Sequence, residues 1–203
     1  MVGVDEAGRG AWAGPVAAAA VMLPADRPDL TRRLAGVRDS KMLTPRRRET
    51  LVEVIQREAM AVGVAFVGPE VIVEQGIAAA TRQAMMDAID SLLPPPDYLL
   101  IDYVRLPQTD VPQRNVVRGD QKSLAIAAAS IVAKVARDQV MARWEQDFPG
   151  YGFRQHKGYG TRAHRAALGH LGMTPLHRRN WRPMLALGEV GRDLYPRGLL
   201  EQT

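Results

Sequence analysis

Val2-Gly3-Val4-Asp5-Glu6-Ala7-Gly8-Arg9-Gly10-Ala11-Trp12-Ala13-Gly14-Pro15-Val16 opens the chain with an apolar run, a pair of carboxylates and a glycine-dense connection. Val2–Asp5 reads as a short buried strand that ends in acid. Pro15–Leu23, rich in valine and alanine, reads as a second strand. The glycines between them mark a tight turn from one strand to the next. A carboxylate at the end of a buried strand is costly to desolvate unless something cationic meets it, so Asp5 and Glu6 ask for an explanation.

Outward from this hairpin the elements alternate. Thr44-Pro45 opens a helix with an N-cap and a proline in its first turn, and Leu51, Val54, Ile55 and Glu58 follow at helical spacing. Val62–Val67 reads as a third strand. Ile77–Leu92 reads as a helix stopped by Pro94-Pro95-Pro96. Tyr98-Leu99-Leu100-Ile101-Asp102 is a buried strand ending in another acid, and Asn115-Val116-Val117 a short fifth one. From Gln121 to about Gln146, Leu124, Ala128, Ile131 and Val135 form one helical stripe. Thr161–Leu171 reads as a basic helix, with a short terminal helix after Pro175. Strands first and helices interleaved give an α/β fold with a mixed sheet.

At 203 residues the chain suits one compact domain. With no cysteine, disulfides, thiolate nucleophiles, zinc ribbons and iron–sulfur clusters are excluded. No run approaches the roughly 18 apolar residues needed to span a bilayer. Acids also stand where a signal peptide needs basic residues, so a soluble cytoplasmic protein with no membrane partner is expected. The net charge of +5 is unevenly spread. Phe148–Gly188 has no acid, and Arg154–Arg182 holds seven cations and all four histidines. Such asymmetry is the footprint of a protein that meets phosphates, although cationic segments are also often plain solvated surface.

If the strands ending at Asp5-Glu6 and Asp102 are neighbours, the three acids converge at one edge of the sheet. With no cysteine and the histidines far away, an all-oxygen site favours Mg²⁺ or Mn²⁺. Two such ions about 3.5–4 Å apart would serve an in-line phosphoryl displacement. Against this, each acid could cap a turn or pair with an arginine. Asp120 is a fourth ligand candidate, or else the N-cap of the long helix. Asp138 has Lys134 and Arg137 beside it and reads as structural. Asp39-Ser40-Lys41 is either a simple turn or a hydroxyl and an ammonium aimed at phosphate.

Gly8, Gly10 and Gly14 give a weak dinucleotide spacing, but Asp5 and Glu6 beside them would repel a pyrophosphate. The glycines fit better as backbone brought close to a nucleic-acid strand. Tyr159, between Gly158 and Gly160, could stack on a sugar or base, or pack over a turn. A non-catalytic nucleic-acid-binding domain explains the basic segment but leaves the acids as repulsion toward phosphate. A resolvase or exonuclease explains the acids, and a nucleotide-binding oxidoreductase fits least.

Taken in order, Val4–Gly10 with Ala13-Gly14-Pro15-Val16, Asp39-Ser40-Lys41, Tyr98–Asp102, Gly119-Asp120, Ala128–Val135 with Arg137-Asp138, Tyr151-Gly152-Phe153 and His156-Lys157-Gly158-Tyr159 resemble type 2 ribonuclease H, the bacterial ribonuclease HII family. The resemblance runs nearly end to end. It implies a ribonuclease H-like mixed sheet flanked by helices, with additional C-terminal helices. Residues 1–203 would form a single catalytic domain, with 154–203 as its basic C-terminal helical part. Asp5, Glu6, Asp102 and Asp120 would be catalytic and hold two Mg²⁺ or Mn²⁺ ions; Asp138 would stay structural. Gly8, Arg9 and Gly10 would contact the nucleotides at the scissile bond and sense the ribose 2′-OH. Tyr159 would pack on the following deoxyribose, and Ser40 and Lys41 would contact phosphate.

The implied activity is cleavage of the RNA strand of RNA–DNA hybrids, by a protein expected to be monomeric. It would extend to single ribonucleotides embedded in duplex DNA, cut on their 5′ side to leave 3′-OH and 5′-phosphate. Ala11-Trp12 stands where the family often has Pro-Leu, Tyr103 where it usually has Gly, and Gly76 where Asn is frequent. A side chain at Tyr103 could crowd the metal site or an adjacent turn, but none of the three departures removes a ligand, so activity is still expected. With Asp5 so near the start, no N-terminal substrate-binding extension is expected.

Overall fold

The computed structural model describes residues 1–37, 40 and 43–186. Strand β1 (Val2–Ala7) lies at the centre of a mixed sheet. β2 (Val16–Met22) pairs antiparallel with β1, and β3 (Ala61–Val67) antiparallel with β2. On the other side β4 (Leu99–Asp102) runs parallel to β1, and β5 (Gln113–Val116) parallel to β4. The order is therefore β3-β2-β1-β4-β5. The parallel step decides the site. Val4 pairs with Ile101, so the next residues, Asp5 and Asp102, emerge at the same end of adjacent strands.

The helices are α1 (Leu30–Arg33), α2 (Pro45–Glu58), α3 (Pro69–Gln75), α4 (Ile77–Asp90), α5 (Leu124–Asp147), α6 (Phe153–His156), α7 (Arg162–Leu171) and α8 (Arg182–Leu185). β2 is buried along its whole length, and its alanines let helices close on both faces of the sheet. Ala18, Ala20 and Met22 join Val2, Val4, Leu99 and Ile101 under Ala84, Met85 and Ala88 of α4. Ala19 and Val21 face Leu51 and Ile55 of α2 and Ala128, Ile131 and Val132 of α5. A Cβ at Gly3 would overlap the Ala125 carbonyl, so α5 lies directly on β1. That contact carries the α5 side chains up to Asp5.

Thr44 and Thr161 cap their helices, accepting from the N–H groups of Arg47 (3.3 Å) and His164 (3.2 Å). The N-cap of α5 is Ser123, not Asp120, which lies in a 3-10 turn, Gly119–Gln121. The fifth strand begins two residues before the expected Asn115. α1, α3 and α6, too short to show a helical period, were not anticipated in the sequence.

A third apolar cluster joins Val140, Met141 and Trp144 of α5 to Phe153, Leu168, Leu176, Met184 and Ala13 of the glycine loop. The basic segment is therefore only partly surface. Arg154, Arg162, Arg165, Arg179 and Arg182 are exposed, but Arg178, His156, His164 and His177 are core. Lys41, Asp39 and the end of the 154–203 part, with Gly198–Thr203, lie outside the described residues. Among the described residues no helix is long and apolar enough to cross a membrane.

Candidate active site

The acids, the glycine loop and Tyr159 line one cavity of about 260 Å³. β1 supplies Asp5 and Glu6, β4 supplies Asp102, and the 3-10 turn supplies Asp120. Asp5 is buried, and its Oδ1 accepts the Glu6 N–H at 2.7 Å. Burial, followed by the charges of Glu6 and Asp102, pushes its carboxyl well above the usual range, against hydrogen bonds that include one from Ser130. Burial also raises Glu6, opposed by Arg9 at 3.3 Å. Glu6 Oε2 is buried without a hydrogen-bond partner. Asp102 Oδ1 accepts the Gly119 N–H at 2.7 Å. A Cβ at Gly119 would come within 2.5 Å of Ile126 Cδ1 and 3.2 Å of Asp102 Oδ1, so the glycine lets the Asp120 turn close onto Asp102.

These observations are the test for a metal. Two carboxyls raised by burial and by the charge of Asp102, one of them with an orphaned oxygen, lack positive charge; an all-oxygen donor set matches a hard divalent cation. Among the described residues no three acidic or histidine side chains already form a closed metal cage. Asp102 instead leans on Gly119 and Glu6 on Arg9. The residues fit a divalent cation that would draw them together.

Above the acids, Ser40 Oγ accepts from Ser130 Oγ at 2.9 Å. Arg48 donates to the carbonyls of Ser40 (2.9 Å) and Leu43 (2.6 Å) and pairs with Asp138 at 3.6 Å. Asp138 accepts from Lys134 Nζ at 2.6 Å. Asp138 is thus held in an ion-pair network, with Arg48 in place of the expected Arg137. Ser130 and Lys134 line the cavity and were missed in the sequence. Their signal was there: two polar residues at i and i+4 in the otherwise apolar first half of α5 share a face.

Tyr159 sits with Lys134 Nζ 5.7 Å and Arg137 Cζ 5.4 Å from its ring centroid. Its turn is held by histidines: its carbonyl meets His164 Nδ1 at 3.0 Å, and His164 Nε2 meets His177 Nε2 at 3.0 Å. His177 Nδ1 accepts the Thr174 N–H at 2.9 Å. The partners place the His164 proton on Nδ1 and the His177 proton on Nε2. Burial, then the neighbouring histidine, pushes His164 down to about 4 and His177 to about 3.

Tyr103 does not crowd the cavity. Its side chain is 67% exposed, and its backbone takes φ 55°, the left-handed conformation for which glycine is the ordinary choice.

Comparison with known proteins follows the same lines. A family model described as Ribonuclease HII matches residues 2–184. The Ribonuclease HII of Chloroflexus aurantiacus is 53% identical over 188 residues, 91% of this chain and 87% of that protein. That of Geobacter sulfurreducens is 49% identical over 182 residues, 90% and 82% of the two chains. Among solved structures, the ribonuclease H2 of Pyrococcus horikoshii superposes with a TM-score of 0.78 at 26% identity, covering 92% of this chain and 95% of that one. The RNase HII of Archaeoglobus fulgidus, solved in complex with PCNA, gives 0.76 at 28% identity, covering 95% and 98%.

Proposed function

The chain belongs to the ribonuclease HII family, an endonuclease of the ribonuclease H class, and from that premise we propose that it cleaves the RNA strand of RNA–DNA hybrids and incises duplex DNA on the 5′ side of a single embedded ribonucleotide, leaving 3′-OH and 5′-phosphate ends. The observation that carries this reading is the single cavity where four carboxylates face a glycine–arginine–glycine loop and a tyrosine.

Asp5, Glu6, Asp102 and Asp120 would hold two divalent cations, Mg²⁺ or Mn²⁺. When bound, these supply Lewis-acid stabilisation of the attacking and departing oxygens of an in-line displacement. The chain's own residues do the rest. The Lys134 ammonium, set by Asp138, and the linked hydroxyls of Ser130 and Ser40 border the phosphate. Lys41, which lies outside the described residues, contacts phosphate as well. The backbone at Gly8, Arg9 and Gly10 contacts the nucleotides at the scissile bond and senses the ribose 2′-OH, the group that separates RNA from DNA at a site. Tyr159 packs against the next deoxyribose. The exposed arginines 154, 162, 165, 179 and 182 add salt-dependent, sequence-independent affinity. The protein works as a monomer and as one catalytic unit.

The test is cleavage of a duplex carrying one ribonucleotide beside an all-DNA control, with Mg²⁺, with Mn²⁺ and with EDTA. Metal-dependent incision only at the ribonucleotide, on its 5′ side, is expected. Equal cutting of both duplexes would remove the 2′-OH reading, and no cutting with either ion would remove the catalytic one.

A further inference from the structure

Arg137 and Arg178 are 0% exposed, and among the described residues neither meets a carboxylate. Burying a charge without an opposite one is tolerated only when its hydrogen bonds are met. Here every guanidinium nitrogen donates to a backbone carbonyl. Arg178 reaches Gly8 (2.7 Å), Arg9 (2.7 Å) and Gly14 (3.0 and 3.1 Å), and its own N–H reaches the Trp12 carbonyl at 2.9 Å. Arg137 reaches Ala13 (3.0 Å), Pro15 (2.8 Å) and Lys157 (2.9 Å). The two side chains together claim the carbonyls of Gly8, Arg9, Ala13 and Gly14 in the glycine loop, and of Pro15 just after it.

A peptide group that turns its carbonyl inward presents its N–H the other way. Among the described residues no protein acceptor meets the N–H of Arg9 or Gly10, although both residues line the cavity. Gly8 is tied to the same device: its φ is +95°, and a Cβ there would overlap Arg137 Nε. At Gly10 nothing stands within 4 Å of a built Cβ, so the protein leaves that side open.

We propose that Arg137 and Arg178 are positioning residues for recognition of the ribose 2′-OH: Arg178 holds the Gly8 and Arg9 carbonyls inward so that the Arg9 and Gly10 N–H groups are free for the sugar, and Arg137 braces the loop from its far side through Ala13 and Pro15 and by packing on Gly8. Neither touches substrate. Arg178 comes from the C-terminal segment, so that segment sets the geometry of a turn that starts at the end of β1. A lysine keeps the charge but cannot bridge the carbonyls of Gly8, Arg9 and Gly14 together, because its donors radiate from one atom. The proposal rests on the reading of the loop as a ribose sensor.

The experiment measures Kd in EDTA for a duplex with one ribonucleotide and for its all-DNA counterpart, in the wild type, Arg178→Lys and Arg137→Lys, with folding checked by thermal melting. The wild type is expected to favour the ribonucleotide duplex by roughly tenfold, the worth of about one hydrogen bond. Arg178→Lys is expected to lose most of that preference and keep its all-DNA Kd, with Arg137→Lys smaller in the same direction. A folded Arg178→Lys protein with the wild-type ratio would overturn the proposal, as would equal weakening on both duplexes, which marks a merely structural role. If Arg178→Lys does not fold, Arg137→Lys carries the same two outcomes. Independent of any variant, the Arg9 and Gly10 amide resonances of the wild type should shift with the ribonucleotide duplex and not with the all-DNA one; equal shifts would overturn the proposal. A wild type without preference would instead remove the ribose-sensor reading beneath it.

Discussion

The two ends of α5 carry buried charge under opposite conditions. Near its N-terminal half, Asp5 and Glu6 are raised by burial and by the charge of Asp102, and Glu6 Oε2 has no hydrogen-bond partner. Toward its C-terminal half, Arg137 and Arg178 are buried at least as deeply, beside three buried histidines, yet each of their ring and guanidinium nitrogens is hydrogen-bonded. Burial and charge are common to both regions; satisfaction separates them. Unsatisfied polar groups at a cavity mark a place that expects a ligand, whereas satisfied ones mark a scaffold.

The comparison is most easily broken at the acids. Asp102→Asn is expected to lower the cleavage rate by about 10³-fold or more, since one anionic oxygen of the cation site is gone, while hybrid binding changes little. Steady-state rates beside a binding titration check this, and near wild-type turnover would overturn the assignment of the acids. Asp5→Asn should also abolish cleavage yet raise the metal-free Tm, because it removes a buried carboxylate that its neighbours repel. A lower Tm would mean that the acid end is as well satisfied as the other.

The two glycines of the loop sharpen the contrast. Gly8→Ala places a Cβ on Arg137 Nε at φ +95° and is expected to unfold or strongly destabilise the protein. Gly10→Ala meets nothing within 4 Å. It should leave the Tm unchanged and still cost roughly tenfold or more in cleavage, because the methyl intrudes on the sugar rather than the protein. Equal Tm losses for both variants would place Gly10 in the scaffold.

The histidine end has its own test. His164 and His177 titrate near 4 and 3 in the folded state, below the ordinary value of 6.5. The unfolded chain therefore binds more protons below pH 6.5. The stability these groups confer is intact above that pH and is lost as pH falls toward 4, by about 1.4 kcal/mol per pH unit for each extra proton. Tm measured from pH 7.5 to 4.5 should fall steeply below 6.5, and the slope should flatten in His177→Phe. An unchanged slope would mean that these imidazoles are not the neutral, satisfied pair that their partners define.

Much of the acid end was legible in the sequence, because an apolar run that terminates in a carboxylate is a local pattern; Asp5, Glu6 and Asp102 needed only the parallel pairing of β1 and β4 to meet. Asp120 was ambiguous for a physical reason: an acid just ahead of a helix is as good a cap as a ligand, and only the Ser123 cap three residues later separates the two. Ser130 and Lys134 were obscured by the apolar stripe around them. Arg178 and the histidines were read as part of a phosphate-facing surface, because composition records charge and not the carbonyls that absorb it. Those that meet the Arg178 side chain come from residues 164 to 170 positions away in the chain.

The smallest expected effect lies beside Asp102. Tyr103 holds a left-handed backbone at φ 55° while its ring points to solvent. A side chain in that conformation costs roughly 1–2 kcal/mol, and a glycine there would remove the strain at an unfolded-state entropy cost of roughly 0.5–1 kcal/mol. Tyr103→Gly should therefore stabilise the protein by about 1 kcal/mol or less, a rise of roughly 2–4 °C at most for a chain of this size. Cleavage should be unchanged, since the ring is not part of the cavity wall. Tyr103→Asn, which tolerates the same conformation with less entropy lost, separates strain from flexibility: a matching rise assigns the gain to the backbone. A fall in cleavage with either variant would mean that the strained peptide after Asp102 helps aim the carboxylate, and that the unsatisfied end of the molecule includes its backbone as well as its acids.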